Sequence, residues 1–330
     1  MNISIIIPYW KREKQIELMF SSLAEQIPSG VEAEVLVCDS HSGGQIEEII
    51  MRAREVHPCL NIRHLQCENI VAQKRNVGIR EARHDLLIFL DDDCVPQADY
   101  LKNVFLDVGN NPGVILCGEI RFPASLVGGS NYYRYRDSKH PTFSSWPFRE
   151  LDQWSFVSMN MVAKKTDLIQ AGLFYDERFI GYGCEDHEFP WRILKAGMKI
   201  RMGRFCIDHH EYNGDIVKYK RKIFCTARDG MYMLSCLAPE IVHSHRKLRL
   251  IETIYSVKGI STVLARALLS ILFNRYFCRT IELFLQKTDA KRNFYFSRAY
   301  RYVLLCNYLA GVRSREDRLT QASVGAGWYD

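Results

Sequence analysis

The chain has 330 residues, 47% of them hydrophobic and 25% charged, a balance that argues against disorder and leaves room for about two domains. The net charge of +6 is unevenly spread: residues 212–330 carry 20 Lys+Arg against 9 Asp+Glu, the first 211 carry 24 against 29, and the basic part suits an anionic surface or ligand. The eleven cysteines sit singly, with no C-x-x-C pair, and Cys38, Cys117 and Cys206 fall in apolar runs, which points to buried thiols in a reducing, cytosolic setting. The N-terminus "MNISIIIPYW" lacks the basic region of a signal peptide, and no apolar run reaches the roughly 18 residues of a membrane span.

In chain order, Ile3 to Ile7 reads as a strand, followed by a helix with Ile16, Met19, Phe20 and Leu23 at three-four spacing. "AEVLVCD" (33–39) is a strand and Ile46, Ile49, Ile50 and Ala53 mark a helix. "NIRHL" is a strand and residues 70–82 a helix; "DLLIFL" is a strand, Leu101, Val104, Phe105 and Val108 mark a helix, and "VILCG" is a strand. This alternation predicts an α/β fold, a mostly parallel sheet covered on both faces, with ligands outside the carboxyl ends of the strands. Pro8, Asp39 and Asp91 to Asp93 all fall there. Residues 125–154 are aromatic and irregular and read as a long surface loop offering rings to a ligand. An ordered section runs from Trp154 to about Glu211, and the remainder is helical and basic.

Three stretches carry chemistry. In "LLIFLDDDCVP", an extended backbone sends Asp91 and Asp93 to one side and Asp92 to the other. Two hard oxygen donors on one side suit Mg²⁺ or Mn²⁺ bridging a diphosphate; a solvated acidic strand end is the bland alternative. "FIGYGCEDHEFPWRI" puts Glu185 and Asp186 at a helix start, where a carboxylate stays ionised and can act as a general base, or merely caps the helix. In "CIDHHEYNG", His209 or His210 could complete an Asp, Asp, His set.

Taken in order, "ISIIIPYWKRE", "VLVCDSHSGG", "QKRNVGIREARHDLLIFLDDDCVP", "GYGCEDHEFPWRI" and "DHHE" resemble the family 2 inverting glycosyltransferases of the GT-A fold over about the first 210 residues. The resemblance implies a Rossmann-like catalytic domain, residues 1–211, divided into a nucleotide-binding part (1–122) and an acceptor-binding part (123–211), with a basic helical region at 212–330. It implies nucleotide-sugar contacts from Pro8, Tyr9, Arg12, Asp39, Arg75, Asp91 and Asp92, with Trp10 where the family has Tyr or Asn and Lys74 in place of a small residue. It implies a metal site of Asp91, Asp93 and His209, with His210 as the alternative, and Mn²⁺ or Mg²⁺ as cofactor. Asp186 falls on the family's catalytic base with Glu185 beside it, and Trp154, Asn160 and Glu185 fall on its acceptor side.

The activity so implied is metal-dependent, inverting transfer of a sugar from a nucleotide diphosphate sugar, foremost a UDP-hexose or UDP-N-acetylhexosamine, to a hydroxyl of a glycan. The expected acceptor is a lipid-linked oligosaccharide of surface polysaccharide, O-antigen or capsule synthesis. The alternatives are a dTDP-rhamnose-using rhamnosyltransferase and a catalytically silent nucleotide- or carbohydrate-binding protein. A nucleotidyltransferase would show a glycine-rich loop after the first strand, and "PYWKREKQ" has no glycine. In the basic part, "KYKRK", "HSHRKLR" and "KRNFYFSRAYRY" interleave charge and rings, and the stretch 260–273 has the periodicity of an amphipathic or core helix. These suggest peripheral contact with the inner face of the cytoplasmic membrane rather than nucleic acid, for which no recognition motif is found.

Overall fold

A computed structural model describes residues 1–41, 45–145 and 147–315. The first half of its sheet is parallel: β1 (Ile3–Tyr9) lies between β2 (Ala33–Asp39) and β4 (Leu86–Leu90), with β3 (Leu60–Gln66) outside β2. β1 and β2 are buried at every residue, which is why their sequences read as continuous apolar runs rather than alternating ones. The second half is mixed. β7 (Asn160–Lys164) runs antiparallel to both β4 and β6 (Val114–Arg121), β8 (Lys199–His209) is parallel to β6, and the short β5 (Cys94–Pro96) is antiparallel to β8, giving the order β3-β2-β1-β4-β7-β6-β8-β5.

Helices cover both faces, as the three-four spacing requires. On one face α1 (Glu13–Ala24), α2 (Gln45–Val56) and α4 (Tyr100–Asn110) bury Ile16, Met19, Phe20, Ile46, Ile49, Leu101 and Val104. On the other, α3 (Val71–Glu81) contributes Ala72 and Ile79, and a later helix, residues 185–195, contributes Phe189 and Ile193. Gly78 of α3 lets that helix approach β1: a Cβ there would collide with the side chain of Ile6.

The chain divides into two compact units, one of residues 1–123, 137–178 and 185–211, the other of 124–136, 179–184 and 212–330. The segments 124–136 and 179–184, expected in the acceptor-binding part, group with the C-terminal region. The expected long loop is partly helical, with α5 (Ala124–Gly129) and α6 (Asn131–Asp137). Tyr132, Tyr133 and Tyr135 are buried instead of offering their rings to solvent: Tyr135 stacks on Tyr300 at 4.7 Å, and the Asn131 side chain donates to the Thr288 carbonyl at 3.0 Å. In the first unit α7 (Lys165–Gln170) and α8 (Glu185–Lys195) come between β7 and β8 in chain order.

The second unit continues with α9 (Ile216–Cys225), a π-helical turn at Thr226–Gly230, α10 (Met231–Leu237), α11 (Pro239–Ser244), α12 (Arg246–Ser256), α13 (Ile260–Leu272), α14 (Arg275–Lys287) and α15 (Ser297–Arg313). Gly311 lets α15 approach α9, where a Cβ would strike the Phe224 carbonyl. All eleven thiols are free and six are buried.

Candidate active site

Asp39 ends β2, Asp91 follows β4, and Trp10 follows β1, so three strand ends open at the switch point where β1 has neighbours on both sides. The aspartates do not continue the strand. The Cys94 N–H donates to the Asp91 carbonyl at 2.9 Å, closing a turn that cancels the period-two alternation expected from sequence. Asp91 and Asp93 therefore have different partners. Asp92 accepts the Trp10 N–H and an Arg12 Nη1–H, each at 2.6 Å, and the same Nη1 lies 2.6 Å from Asp93 Oδ2. Asp92 and Asp93 are buried, so water does not relieve their repulsion; one guanidinium does. Burial and Asp93 still push the Asp92 carboxyl up to about 6, against the pull of Arg12. Asp92, expected to bind nucleotide, fastens the turn to the end of β1.

Asp91 keeps more exposure and pairs with Arg75 Nη2 at 3.1 Å. Arg75 Nη1 reaches Glu185 Oε1, also at 3.1 Å, and its guanidinium lies over the Tyr175 ring. One buried arginine thus joins the aspartate turn to the first turn of α8. Neighbouring Asn76 is spent on structure, its amide exchanging hydrogen bonds with the backbone of Tyr175 at 2.8 Å. Burial, with help from Asp186, pushes the Glu185 carboxyl up to about 7 despite Arg75. Asp186 is half-buried and takes no hydrogen bond or ion pair from the described residues. Pro190, inside α8, has no N–H to give the Asp186 carbonyl.

The β5–β8 ladder sets Cys94 opposite His209, which brings His209 Nε2 to 3.1 Å from Asp93 Oδ2. His210 meets the turn through its backbone, its N–H donating to the Asp93 carbonyl at 2.7 Å, so His209 is the imidazole beside the carboxylate. Its ring lies tilted against Phe122 at 5.0 Å, and its buried Nδ1 has no hydrogen-bond partner. Among the described residues no group of three His, Cys, Asp or Glu side chains is arranged to hold a metal ion by itself, and Asp91 Oδ1 is paired with Arg75. Asp93 and His209 form a carboxylate-imidazole pair around a point already held by a positive charge, that of Arg12. Two such donors fit a divalent cation only where other groups complete its coordination.

At the other end, Asp39 Oδ1 is held by the N–H groups of Ser40 and His41, at 2.7 and 3.0 Å. Its buried Oδ2 has no hydrogen-bond partner, His64 Nε2 standing 3.6 Å away. Pro8 and Tyr9 are buried in β1, and Tyr9 belongs to the core; the ring at the strand end is Trp10, edge-on to His41 at 6.2 Å. Lys74 is buried and donates to the Tyr9 carbonyl at 2.7 Å. Its departure from the small residue of the family pattern was the visible sign of this tie. The rest of the stretch, residues 42–44, lies outside the described residues.

Trp154 packs on His187 of α8 at 4.8 Å, and His187 Nδ1 contacts the Gln153 carbonyl at 2.9 Å, so Trp154 stands against the first turn of α8. Asn160 does not. It is fully buried, its oxygen accepting from Tyr100 Oη at 2.8 Å and its amide donating to the Glu119 carbonyl at 2.9 Å, so it presents no polar atom to solvent.

The sequence profile described as "Glycosyl transferase family 2" matches residues 4–168, from the start of β1 through the aspartate turn to α7. The chain belongs to this family. Curated relatives include the chondroitin synthase of Escherichia coli, 25% identical over 64% of this chain and 34% of the relative. The uncharacterized glycosyltransferase YfnE of Bacillus subtilis is 24% identical over 64% of this chain and 65% of that one. The matches to the first of these relatives span between a third and two thirds of their lengths. Among solved structures, the mannosyltransferase PcManGT of Pyrobaculum calidifontis, in complex with GDP-Man and Mn²⁺, superposes with a TM-score of 0.57 at 16% identity, covering 96% of this chain and 88% of that one. The first unit has the GT-A architecture of the family 2 transferases.

Proposed function

We propose that this chain is a metal-dependent inverting glycosyltransferase that moves a hexose from a nucleoside diphosphate sugar to a hydroxyl of a glycan acceptor. The single observation that carries the reading is the Arg75 bridge between Asp91 and Glu185, beside the Asp93–His209 pair, at the strand ends of a family 2 fold. Asp39 Oδ2, Arg75 Nε, Glu185 Oε2 and His209 Nδ1 are buried polar atoms without a hydrogen-bond partner, and their grouping at the strand ends supports a ligand there.

In this reading Asp39 Oδ2 accepts an N–H of the nucleotide base, with its other oxygen fixed by backbone, and Trp10 flanks that base. Asp93 and His209 would hold Mn²⁺ or Mg²⁺, and the bound ion would neutralise charge developing on the departing diphosphate. Arg75 adds positive charge near the leaving group and fixes Asp91. Asp186, unpaired at the start of α8, removes the proton of the acceptor hydroxyl as that oxygen attacks opposite the leaving group, inverting the anomeric centre. Glu185 is spent on Arg75 and orients it. Trp154 supplies a ring for the acceptor sugar to rest on.

The names of relatives support a hexose or N-acetylhexosamine donor: validoxylamine A glucosyltransferase of Streptomyces hygroscopicus, 26% identical over 61% of this chain, and the poly(ribitol-phosphate) β-N-acetylglucosaminyltransferase TarS of Staphylococcus aureus, 31% identical over 32%. UDP is the favoured carrier and a lipid-linked glycan the favoured acceptor. Calorimetric titration with UDP, GDP, dTDP and CDP, each with and without Mn²⁺, tests this. Tight binding of one nucleotide only with metal, lost in Asp93→Ala, is the expected result. Absence of nucleotide binding under every condition overturns the reading.

A further inference from the structure

Helix α13 is the apolar stretch that sequence alone leaves open as amphipathic or core. None of its residues is buried. Ile260 is 84% exposed, Leu264 64% and Ile271 70%, with Val263, Leu268 and Leu272 also more than half exposed. Leu250 and Val257 before it and Tyr276 and Phe277 after it are exposed as well. So many exposed large apolar side chains along one short helix are far more than a soluble surface ordinarily leaves in water.

The helix is nevertheless held firmly. Its one charged residue, Arg266, turns back to donate to the Ile254 and Val257 carbonyls, at 2.7 and 3.0 Å, capping the C-terminal end of α12. At the far end Tyr302 Oη donates to the Leu272 carbonyl at 2.7 Å. The apolar side thus carries no charge of its own.

The exposed charge on the segments that flank it in sequence is of one sign. Between residues 246 and 287 the only acids are Glu252 and Glu282, and both are turned inward: Glu252 pairs with Arg315 at 2.7 Å, and buried Glu282 with Lys220 and Arg279 at 2.5 and 2.6 Å. Arg246, Lys247, Arg249, Lys258, Arg275 and Lys287 remain exposed. A bare apolar helix whose flanking segments expose cations and internalise their acids is complementary to an anionic lipid surface, where acyl chains take the apolar side and headgroups the cations. A second copy of the chain would instead set these cations against their own kind.

Length decides the mode of contact. Thirteen residues make about 20 Å of helix against about 30 Å of hydrocarbon, and among the described residues no single helix is long and apolar enough to cross a membrane. The pair Arg246–Ser256 and Ile260–Lys287 satisfies the composition of a span only together, and it bends by 111° between its parts. We infer that α13 lies in the plane of an anionic bilayer interface, anchoring the C-terminal unit to the membrane from one side. This goes beyond the proposed transfer reaction and does not rest on it.

The test is co-sedimentation of the full chain, without nucleotide, with phosphatidylcholine vesicles prepared with and without phosphatidylglycerol, at low and high salt. Binding is expected only to the anionic vesicles and to weaken with salt. The exposed-face variant Leu264→Glu/Ile271→Glu is expected to lose at least about tenfold in partitioning, and Arg246→Gln/Lys247→Gln/Arg249→Gln about fivefold per charge removed, both with unchanged thermal melting. Absence of binding, equal binding to neutral vesicles, or unimpaired binding of the glutamate variant overturns the inference. A lipid-free dimer by light scattering that Leu264→Glu/Ile271→Glu splits, with vesicle binding unaffected, also overturns it and assigns the face to a second copy.

Discussion

Asp93 Oδ2 lies 3.1 Å from His209 Nε2 although 116 positions separate them in sequence. The contact exists because β5 pairs antiparallel with β8 and sets Cys94 opposite His209. If this pair is the protein's share of a metal site, Asp93→Ala and His209→Ala should each weaken Mn²⁺-dependent nucleotide binding by at least about tenfold. His210→Ala, which keeps the backbone bond to Asp93, should weaken it far less. Calorimetry with Mn²⁺ and the nucleotide that binds wild type is the check; equal losses for His209 and His210 would remove the assignment.

Arg12 occupies the point between Asp92 and Asp93 where a cation is wanted. Arg12→Gln leaves two buried carboxylates facing each other and should cost about 1–3 kcal/mol of stability in metal-free buffer. Mn²⁺ supplies the missing charge, so the variant's melting temperature should rise on adding Mn²⁺ by more than that of wild type. Equal shifts in the two proteins would mean that Arg12 and the metal do not compete for one place.

The Glu185 carboxyl is raised to about 7 by burial and by Asp186, against the lowering effect of Arg75. Its folded-state value is thus above its ordinary unfolded one of about 4.3. The native state then holds a proton that the unfolded state has released across the window between the two values, so this group's contribution to stability falls as pH rises to about 7 and is fully lost above it. Glu185→Gln removes the penalty. The variant should gain melting temperature relative to wild type between pH 5 and pH 8; a pH-independent difference would show that Glu185 is ionised throughout.

Much of this was legible in the sequence, and for definite reasons. Continuous apolar runs marked β1, β2 and β4, because a strand buried on both faces has no polar side to alternate with. The pair Glu185 and Asp186 stood out at a helix start. What sequence could not show is which partner each carboxylate takes. The alternation argument for Asp91 and Asp93 assumed an extended chain, and a single hydrogen bond, Cys94 N–H to the Asp91 carbonyl, turned the chain there, leaving Asp91 with Arg75 and Asp93 with Arg12 and His209. Asn160 looked like an acceptor contact by its place in a motif, but Tyr100 and Glu119, distant in sequence, consume its amide. The tyrosines of 132–135 read as exposed rings because their partners, among them Tyr300, lie far along the chain.

Gly78 stands in the helix that carries Arg75, against Ile6. Gly78→Val should cost about 1–3 kcal/mol by overpacking and, by shifting α3, should weaken nucleotide binding as well. Paired denaturation and calorimetry check this; a destabilised variant with unchanged nucleotide affinity would show that Arg75 does not depend on this contact.

Asp186→Asn separates binding from chemistry. Its carboxylate takes part in no hydrogen bond or ion pair with the described residues, so replacing it by the isosteric amide leaves the Arg75–Asp91 and Arg75–Glu185 bonds in place. Stability and nucleotide affinity should be close to wild type. Transfer should fall by roughly 10²–10⁴, the usual worth of a positioned base, and the pH profile of the residual activity should lose its acidic limb, because no carboxylate remains to be protonated. Asp186→Glu should keep a fraction of the rate together with that limb. A fully active Asp186→Asn protein would move the base elsewhere, and with Glu185 bound to Arg75 the next carboxylate to examine would be Asp91, the more exposed member of the turn.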